Sequence, residues 1–221
     1  MMGPMTIIWM IRHGESESNA GLATSEPAAI TLTARGRVQA GYVAAAFPSP
    51  PALIITSPFE RAKETAQPTR LRFPDSAMEE WPIQEFTYLA PARCQNMTPA
   101  ARTPMVRAYW ELADPTYVDG AGAESYTAFL SRVEVARRRF QTLELGLVAV
   151  FTHGGFLRAM LRAERTGAED CTPSGMQHFR TSMHSFPIAN AAILKLRIDG
   201  SGRAILGGVV ASHLPAELIT H

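Results

Sequence analysis

Apolar residues lie along the chain in short unbroken runs, separated by stretches where they recur every three or four positions. Thr6 to Arg12 (TIIWMIR), Ala52 to Thr56 (ALIIT) and Leu147 to Thr152 (LVAVFT) are the clearest runs. They are rich in β-branched residues and apolar at successive positions, which predicts strands buried on both faces. Ala191 to Ile198 and Ala204 to Val210 predict two more strands. Thr33 to Phe47 predicts a helix, with Thr33 as N-cap and Val38, Tyr42 and Ala45 on one face. Ser57-Pro58-Phe59-Glu60 combines a capping box with Pro at the first helical position. It predicts a helix that runs to about Gln67 and stops before Pro68. Further helices are expected over Pro99 to Ala113, over Ser125 to Leu145 and from after His153 through Arg165. Met105, Val106, Tyr109, Trp110 and Leu112 supply apolar content to the first of these; Phe129, Val133, Ala136 and Phe140 share a face of the second.

Apolar strands alternating with helices predict an α/β fold: three layers, α/β/α, around a largely parallel central sheet. A length of 221 residues suits one domain, and no internal repeat divides it. The breaker cluster Phe47-Pro48-Ser49-Pro50-Pro51 falls between two expected elements rather than between domains.

Composition narrows the function more than the fold. With 46% hydrophobic and 19% charged residues the chain reads as globular. Twenty-one Lys and Arg against 20 Asp and Glu give a net charge of +1, so there is no global field for a nucleic acid and anion recognition must be local. Cys94 and Cys171 have neither metal-ligand nor disulfide-framework spacing, and fit free thiols in a reducing compartment. Met5 to Ile11 is too short to span a membrane and lacks the flanks of a signal peptide. The expectation is a cytoplasmic protein with no nucleic-acid or membrane partner; self-association is left open.

Ligands of such sheets bind outside the carboxyl ends of the strands. Here those ends carry Arg12-His13-Gly14-Glu15-Ser16, continuing to Asn19; Ser57 to Arg61; and His153-Gly154. If the three strands are neighbours, two imidazoles and two guanidiniums converge. Gly14 and Gly154 allow close backbone approach, and a helix start after His153 adds a positive dipole end. That combination suits a compact dianion such as a phosphoryl group.

The pieces resemble, in order, the hallmarks of the histidine phosphatase superfamily, the phosphoglycerate mutase-like proteins. The resemblance rests on Arg12-His13-Gly14-Glu15, on Leu32 to Ala40 (LTARGRVQA), on Ser57 to Ala66 (SPFERAKETA) and on His153-Gly154-Gly155. It implies that His13 is the nucleophile that becomes phosphorylated, and that Arg12, Arg61 and His153 form the phosphate pocket, with Ser16, Asn19 and Gly154 lining it. It implies that Glu85 is the general acid/base, because Gly154 stands where other members have an aspartate after the second histidine. It implies a lid insertion at about 86–124, where Arg93 and Arg102 are candidates for a second anionic group. It implies a small phosphorylated substrate and no cofactor or metal, and the sequence has no metal-binding motif.

The activity expected is phosphomonoester hydrolysis through phosphohistidine. A cofactor-dependent phosphoglycerate mutase is the first alternative. The mutase-like Glu-Arg-x-Tyr-Gly reads Glu85-Phe86-Thr87-Tyr88-Leu89 here, and the run Arg137-Arg138-Arg139 sits in an expected helix rather than in the lid. A non-catalytic phospho-ligand binder is the second alternative, disfavoured by the intact His13 and His153. Glu15 and Glu124 are the other candidate proton donors. His178, His184, His213 and His221 have no spacing that suggests a role.

Overall fold

The computed structural model describes residues 5–166 and 170–221. Six strands form one sheet: β1 Thr6–Arg12, β2 Leu53–Thr56, β3 Ala77–Glu80, β4 Leu147–Thr152, β5 Ile193–Ile198 and β6 Ala204–Val210. Their order is β3-β2-β4-β1-β5-β6. β3, β2, β4 and β1 are mutually parallel, whereas β5 and β6 run antiparallel along one edge. The expected α/β class and largely parallel sheet are therefore present. The helices are α1 Ala34–Ala46, α2 Glu60–Arg72, α3 Pro99–Leu112, α4 Tyr126–Gln141, α5 Gly154–Thr166 and α6 Pro173–Ser185. Residues 1–4 and 167–169 of the expected single domain lie outside the described residues.

The central strands are buried on both faces, so alternate residues enter two cores. Ile8, Met10, Val148 and Val150 face a large cluster with Phe86, Phe129 and Phe179. Trp9, Ile11, Ala149 and Phe151 face a smaller one with Val43, Phe47 and Ala66 of the α1/α2 side. Trp9 stacks on Phe47 at 4.8 Å and Phe86 on Phe129 at 4.6 Å between ring centroids. Full burial of each such side chain contributes about 1.5–3 kcal/mol.

Three local expectations are corrected. The buried face of α1 is Gly36, Gln39, Ala40, Val43 and Ala44, not the stripe of Val38 and Tyr42, which stay 50% and 39% exposed. The cause is a backbone approach: a Cβ at Gly36 would lie 2.0 Å from the Glu15 carbonyl oxygen, so this small-residue face presses on the loop after β1. α2 does not stop at Pro68 but carries it inside, with Ala62, Thr65, Ala66 and Thr69 buried. An internal proline costs about 3 kcal/mol, and the buried α2 face offsets it. Ser57 is no cap: α2 begins after Phe59 without a side-chain cap. Two elements were not anticipated. β3 (AMEE) is an exposed edge strand with no apolar run. α6 starts at an N-cap Thr172 before Pro173 but buries only Gly175, Met176 and Phe179.

The Gly36 contact is testable. Gly36→Ala forces backbone apart against Glu15 and is expected to lower stability by about 1–3 kcal/mol or more. A shift of the urea midpoint to lower concentration at unchanged slope measures it; an unchanged midpoint would show that the loop yields freely.

Candidate active site

Strand register builds the site. Arg12 pairs with Thr152, and Thr56 with Phe151, so the parallel strands β2, β4 and β1 end together. The next residues continue that pairing: the His13 amide donates to Thr152 O and the Ser57 amide to Phe151 O, each at 2.9 Å. His13, Ser57 and His153 are thus the first residues past three adjacent strand ends. The two imidazole rings sit 5.1 Å apart between centroids, tilted at 58°.

His13 is buried, with Nδ1 2.7 Å from Gly14 O. A carbonyl only accepts, so Nδ1 carries the proton and Nε2 presents a lone pair. Arg61 Nε donates to that Nε2 at 3.2 Å. Arg61 Nη1 donates to Pro27 O at 2.7 Å, and its guanidinium lies over the Phe59 ring at 5.0 Å. His153 is fully buried, with Nε2 2.7 Å from Ser57 Oγ and the Phe59 ring edge-on at 5.3 Å. Ser57 Oγ accepts the Phe59 amide at 3.2 Å and can give its own proton to His153 Nε2. In that tautomer the His153 proton resides on Nδ1, a buried atom with no hydrogen-bond partner among the described residues. Arg12 donates from Nη1 to Ile188 O, and its Nε is likewise buried and unpartnered. Buried donors without partners are rare in proteins and mark a place where a ligand is expected.

Electrostatics follow from burial. Desolvation, then Arg61 and Arg12, hold the His13 pKa well below that of free histidine, against the Gly14 hydrogen bond that raises it. Desolvation, then Arg61 and His13, lower His153 in the same way. Burial pushes Arg12 and Arg61 down to about 10, with Glu85 opposing the fall in both. At neutral pH the site therefore holds two neutral imidazoles and two charged guanidiniums. Its donor set suits an anion, and among the described residues no group of three or more His, Cys, Asp or Glu could hold a metal ion.

Glu85 sits beside them. Its Oε2 accepts the Gly155 amide and its Oε1 the Phe86 amide, both at 3.0 Å. The first turn of α5 thus gives a donor to this carboxylate. A Cβ at Gly155 would lie 2.1 Å from Glu85 Oε1, so only glycine admits the carboxylate here. Arg132 fixes the segment by donating to Gln84 O at 2.7 Å and Glu85 O at 3.2 Å, while pairing with Glu124 at 2.6 Å.

The remaining candidates fall into place as follows. Ser16 Oγ donates to Asn19 Oδ1 at 2.8 Å, and neither residue lines the cavity that opens on Arg61 and Glu85; Ser18 does. A Cβ at Gly154 would lie 3.0 Å from Arg158 Nη1 and 3.4 Å from Arg12 Nε, so this glycine makes room for arginines. Gly14 faces the Gly36 carbonyl in the same sense, at 2.5 Å. Glu15 accepts Thr33 Oγ1 at 2.8 Å and pairs with Arg35 at 3.2 Å, and Glu124 is held by Arg132. Arg93 pairs with Asp119, away from the cavity. Arg102 lines the cavity but spends Nη2 on Thr24 and Met97 oxygens. Arg137 and Arg138 both pair with Glu134 on α4. Sequence reasoning missed Ser57, Arg158 and Arg132. Arg158 follows Gly154 by one helical turn, a signal that spacing could have supplied; nothing local marks Arg132.

The fold is shared with several solved structures. The fold resembles the alpha-ribazole phosphatase from Shigella flexneri (22% identity, 93% of this chain and 96% of that one, TM-score 0.69). It also resembles a mycobacterial glucosyl-3-phosphoglycerate phosphatase (23%, 91% and 97%, 0.66). A third is the phosphoserine phosphatase from Entamoeba histolytica, solved in complex with 3-phosphoglyceric acid (19%, 95% and 100%, 0.68). No curated protein matches at the level of sequence. No helix among the described residues is long and apolar enough to cross a membrane.

The neutral histidines carry a prediction. The unfolded chain protonates them near the ordinary value of about 6.5, whereas the folded protein does not, so unfolding takes up protons below that pH. Stability should fall as pH drops from about 6.5 towards 5, by up to about 1.4 kcal/mol per pH unit for each such histidine. The half-buried His213, also lowered by desolvation, adds to the slope. Urea denaturation at a series of pH values measures it, and a flat profile would mean that the folded state binds these protons. On sequence, the profile of the Histidine phosphatase superfamily (branch 1) matches residues 8–208, and the chain belongs to that family.

Proposed function

We propose that the protein is a metal-independent phosphomonoester hydrolase that works through a phosphohistidine on His13. The observation that carries this reading is the state of His13: buried, neutral, with Nδ1 tied to Gly14 O and Nε2 turned to Arg61.

In the first step His13 Nε2 attacks phosphorus, and the P–O bond to the alcohol breaks. Gly14 O accepts from Nδ1–H and stabilises the positive charge that grows on the ring. Arg12, Arg61 and His153 Nδ1–H bind the equatorial oxygens, which supplies the alignment and charge that phosphoryl transfer requires. Glu85, carrying a proton taken up as the ester binds, donates it to the departing alkoxide; each of its oxygens accepts one backbone amide and keeps a lone-pair direction for that work. In the second step Glu85 takes a proton from water, the water attacks phosphorus, and the P–N bond returns its pair to Nε2. The segment 86–124 acts as a lid, since Phe86, Tyr88, Leu89, Arg102 and Val106 wall the cavity over Arg61 and Glu85.

Phosphate release from p-nitrophenyl phosphate tests the reading. His13→Ala is expected to lower it by on the order of a thousandfold or more, and EDTA to leave the wild-type rate unchanged. Acid-labile, base-stable radiolabel should be trapped on the wild type alone. Activity that survives in His13→Ala, or that requires an added divalent ion, would sink the proposal.

Glu85 is tested separately. Glu85→Gln should slow turnover of alkyl phosphates by on the order of a hundredfold or more. p-Nitrophenyl phosphate, whose leaving group needs little protonation, should lose far less. Equal small losses on both in single-turnover assays would assign the proton donor elsewhere.

A further inference from the structure

We infer that the alcohol carried by the substrate is a small, mainly apolar group, of one ring or a short alkyl chain. This rests on the hydrolase reading above and narrows its substrate class.

The cavity that opens on Arg61 and Glu85 has a volume of about 250 Å³. With the phosphoryl group held at the Arg61 and Glu85 end, the rest of that space takes the leaving group. A cavity of about 150 Å³ admits benzene, so the space is filled by a single ring or a few methylenes. The apolar part of its wall is made by Phe59, Phe86, Tyr88, Leu89, Pro91 and Val106. Phe86 is fixed by stacking on Phe129, and Tyr88 by the Tyr109 ring at 4.8 Å, so the wall is preformed.

Arg102 and Thr87 spend most of their polar atoms on the protein, although Arg102 Nε is buried without a partner. Arg102 Nη2 donates to Thr24 O at 2.7 Å, Thr24 Oγ1 at 2.6 Å and Met97 O at 2.9 Å, tying α3 to the loop around Thr24. Thr87 donates from N to Glu124 and from Oγ1 to Glu85 O. Burial raises the Tyr88 pKa, so its phenol stays uncharged. Arg93, the other lid cation considered for a second anion, is paired with Asp119 outside the cavity. A polyol would lose water against the apolar part of this wall, at roughly tenfold in affinity per orphaned hydroxyl.

Calorimetry with the full chain and non-hydrolysable phosphonates reads this directly. Affinity should rise about fourfold per buried methylene from methyl- to butylphosphonate, with benzylphosphonate among the tightest. Propylphosphonate should exceed 2,3-dihydroxypropylphosphonate by tenfold or more. Val106→Asn, which adds no charge, should weaken benzylphosphonate at least tenfold and methylphosphonate far less. A flat series, or tightest binding by the dihydroxypropyl compound, would overturn the inference. Equal kcat/KM for benzyl phosphate and glycerol 3-phosphate would overturn it while leaving the hydrolase reading intact. Tight benzylphosphonate binding with no phosphate released from benzyl phosphate would overturn the hydrolase reading alone. Absence of binding by every phosphonate would overturn both.

Discussion

Arg61 donates from Nε to the Nε2 of His13, and both groups are buried. Removing a guanidinium from water costs several kcal/mol even after relaxation, and Arg12 adds a second such cost beside the first. What surrounds the pair offsets it. Arg61 is steadied by Pro27 O and the Phe59 ring, and Arg12 by Ile188 O. Glu85 supplies negative charge felt by Arg12, Arg61 and Arg158 alike. One carboxylate thus answers three cations, and a net positive charge remains for an anionic ligand. The position of Glu85 in turn depends on Gly155, which leaves it space, and on Arg132, which grips the carbonyls of Gln84 and Glu85.

The backbone behind His13 is braced from the opposite end of the chain. His13 O accepts the Ala191 amide at 3.1 Å, and Ala191 is held at a φ of +59°, a conformation that a residue with a Cβ adopts at a cost of about 1–2 kcal/mol. Its neighbour Asn190 is buried and bonded through N and Nδ2 to Thr220. Gln39, also buried, accepts the Glu15 amide at 2.7 Å while donating to Leu218 O at 2.6 Å and Thr220 Oγ1 at 3.0 Å. The loop that follows β1 therefore rests on α1, on the turn before β5 and on the last residues together. None of these contacts touches the cavity, yet each limits where the imidazole can sit.

The strands β1, β2 and β4 were legible because burial on both faces leaves an unbroken apolar run, and their shared ends could be anticipated from the parallel-sheet rule. The convergence of His13, Arg61 and His153 followed from that. Elements whose apolar content is low were not legible: β3 is all exposed, and α6 buries three residues. The face of α1 was misread because periodicity weighs Val38 and Tyr42 above glycine and alanine, whereas close backbone packing at Gly36 favours the small face. Pro68 was read as a stop, but tertiary packing overrode that local preference. Ser57 showed a capping pattern and instead serves His153, since Oγ accepts an amide only two residues on. Arg132 acts on the Gln84 and Glu85 carbonyls and Arg102 on that of Thr24, each far along the chain, so no sequence window contains both partners.

The resting hydrogen bond between Arg61 and His13 bears on selectivity in the proposed reaction. Arg61 Nε–H occupies the lone pair that must attack phosphorus, so the nucleophile is masked until that donor turns away. Neutral imidazole is a modest acceptor for a guanidinium, and a phosphoryl dianion is a stronger one, since it adds a Coulomb attraction that the uncharged ring lacks. A dianion can therefore draw the donor from Nε2 and leave the lone pair facing phosphorus, whereas water offers no comparable exchange. Exposure of the nucleophile is coupled to arrival of the group it attacks. That coupling requires Arg61 to hold two positions within one buried pocket. The Pro27 carbonyl and the Phe59 face provide for it, because they anchor the guanidinium at points other than Nε.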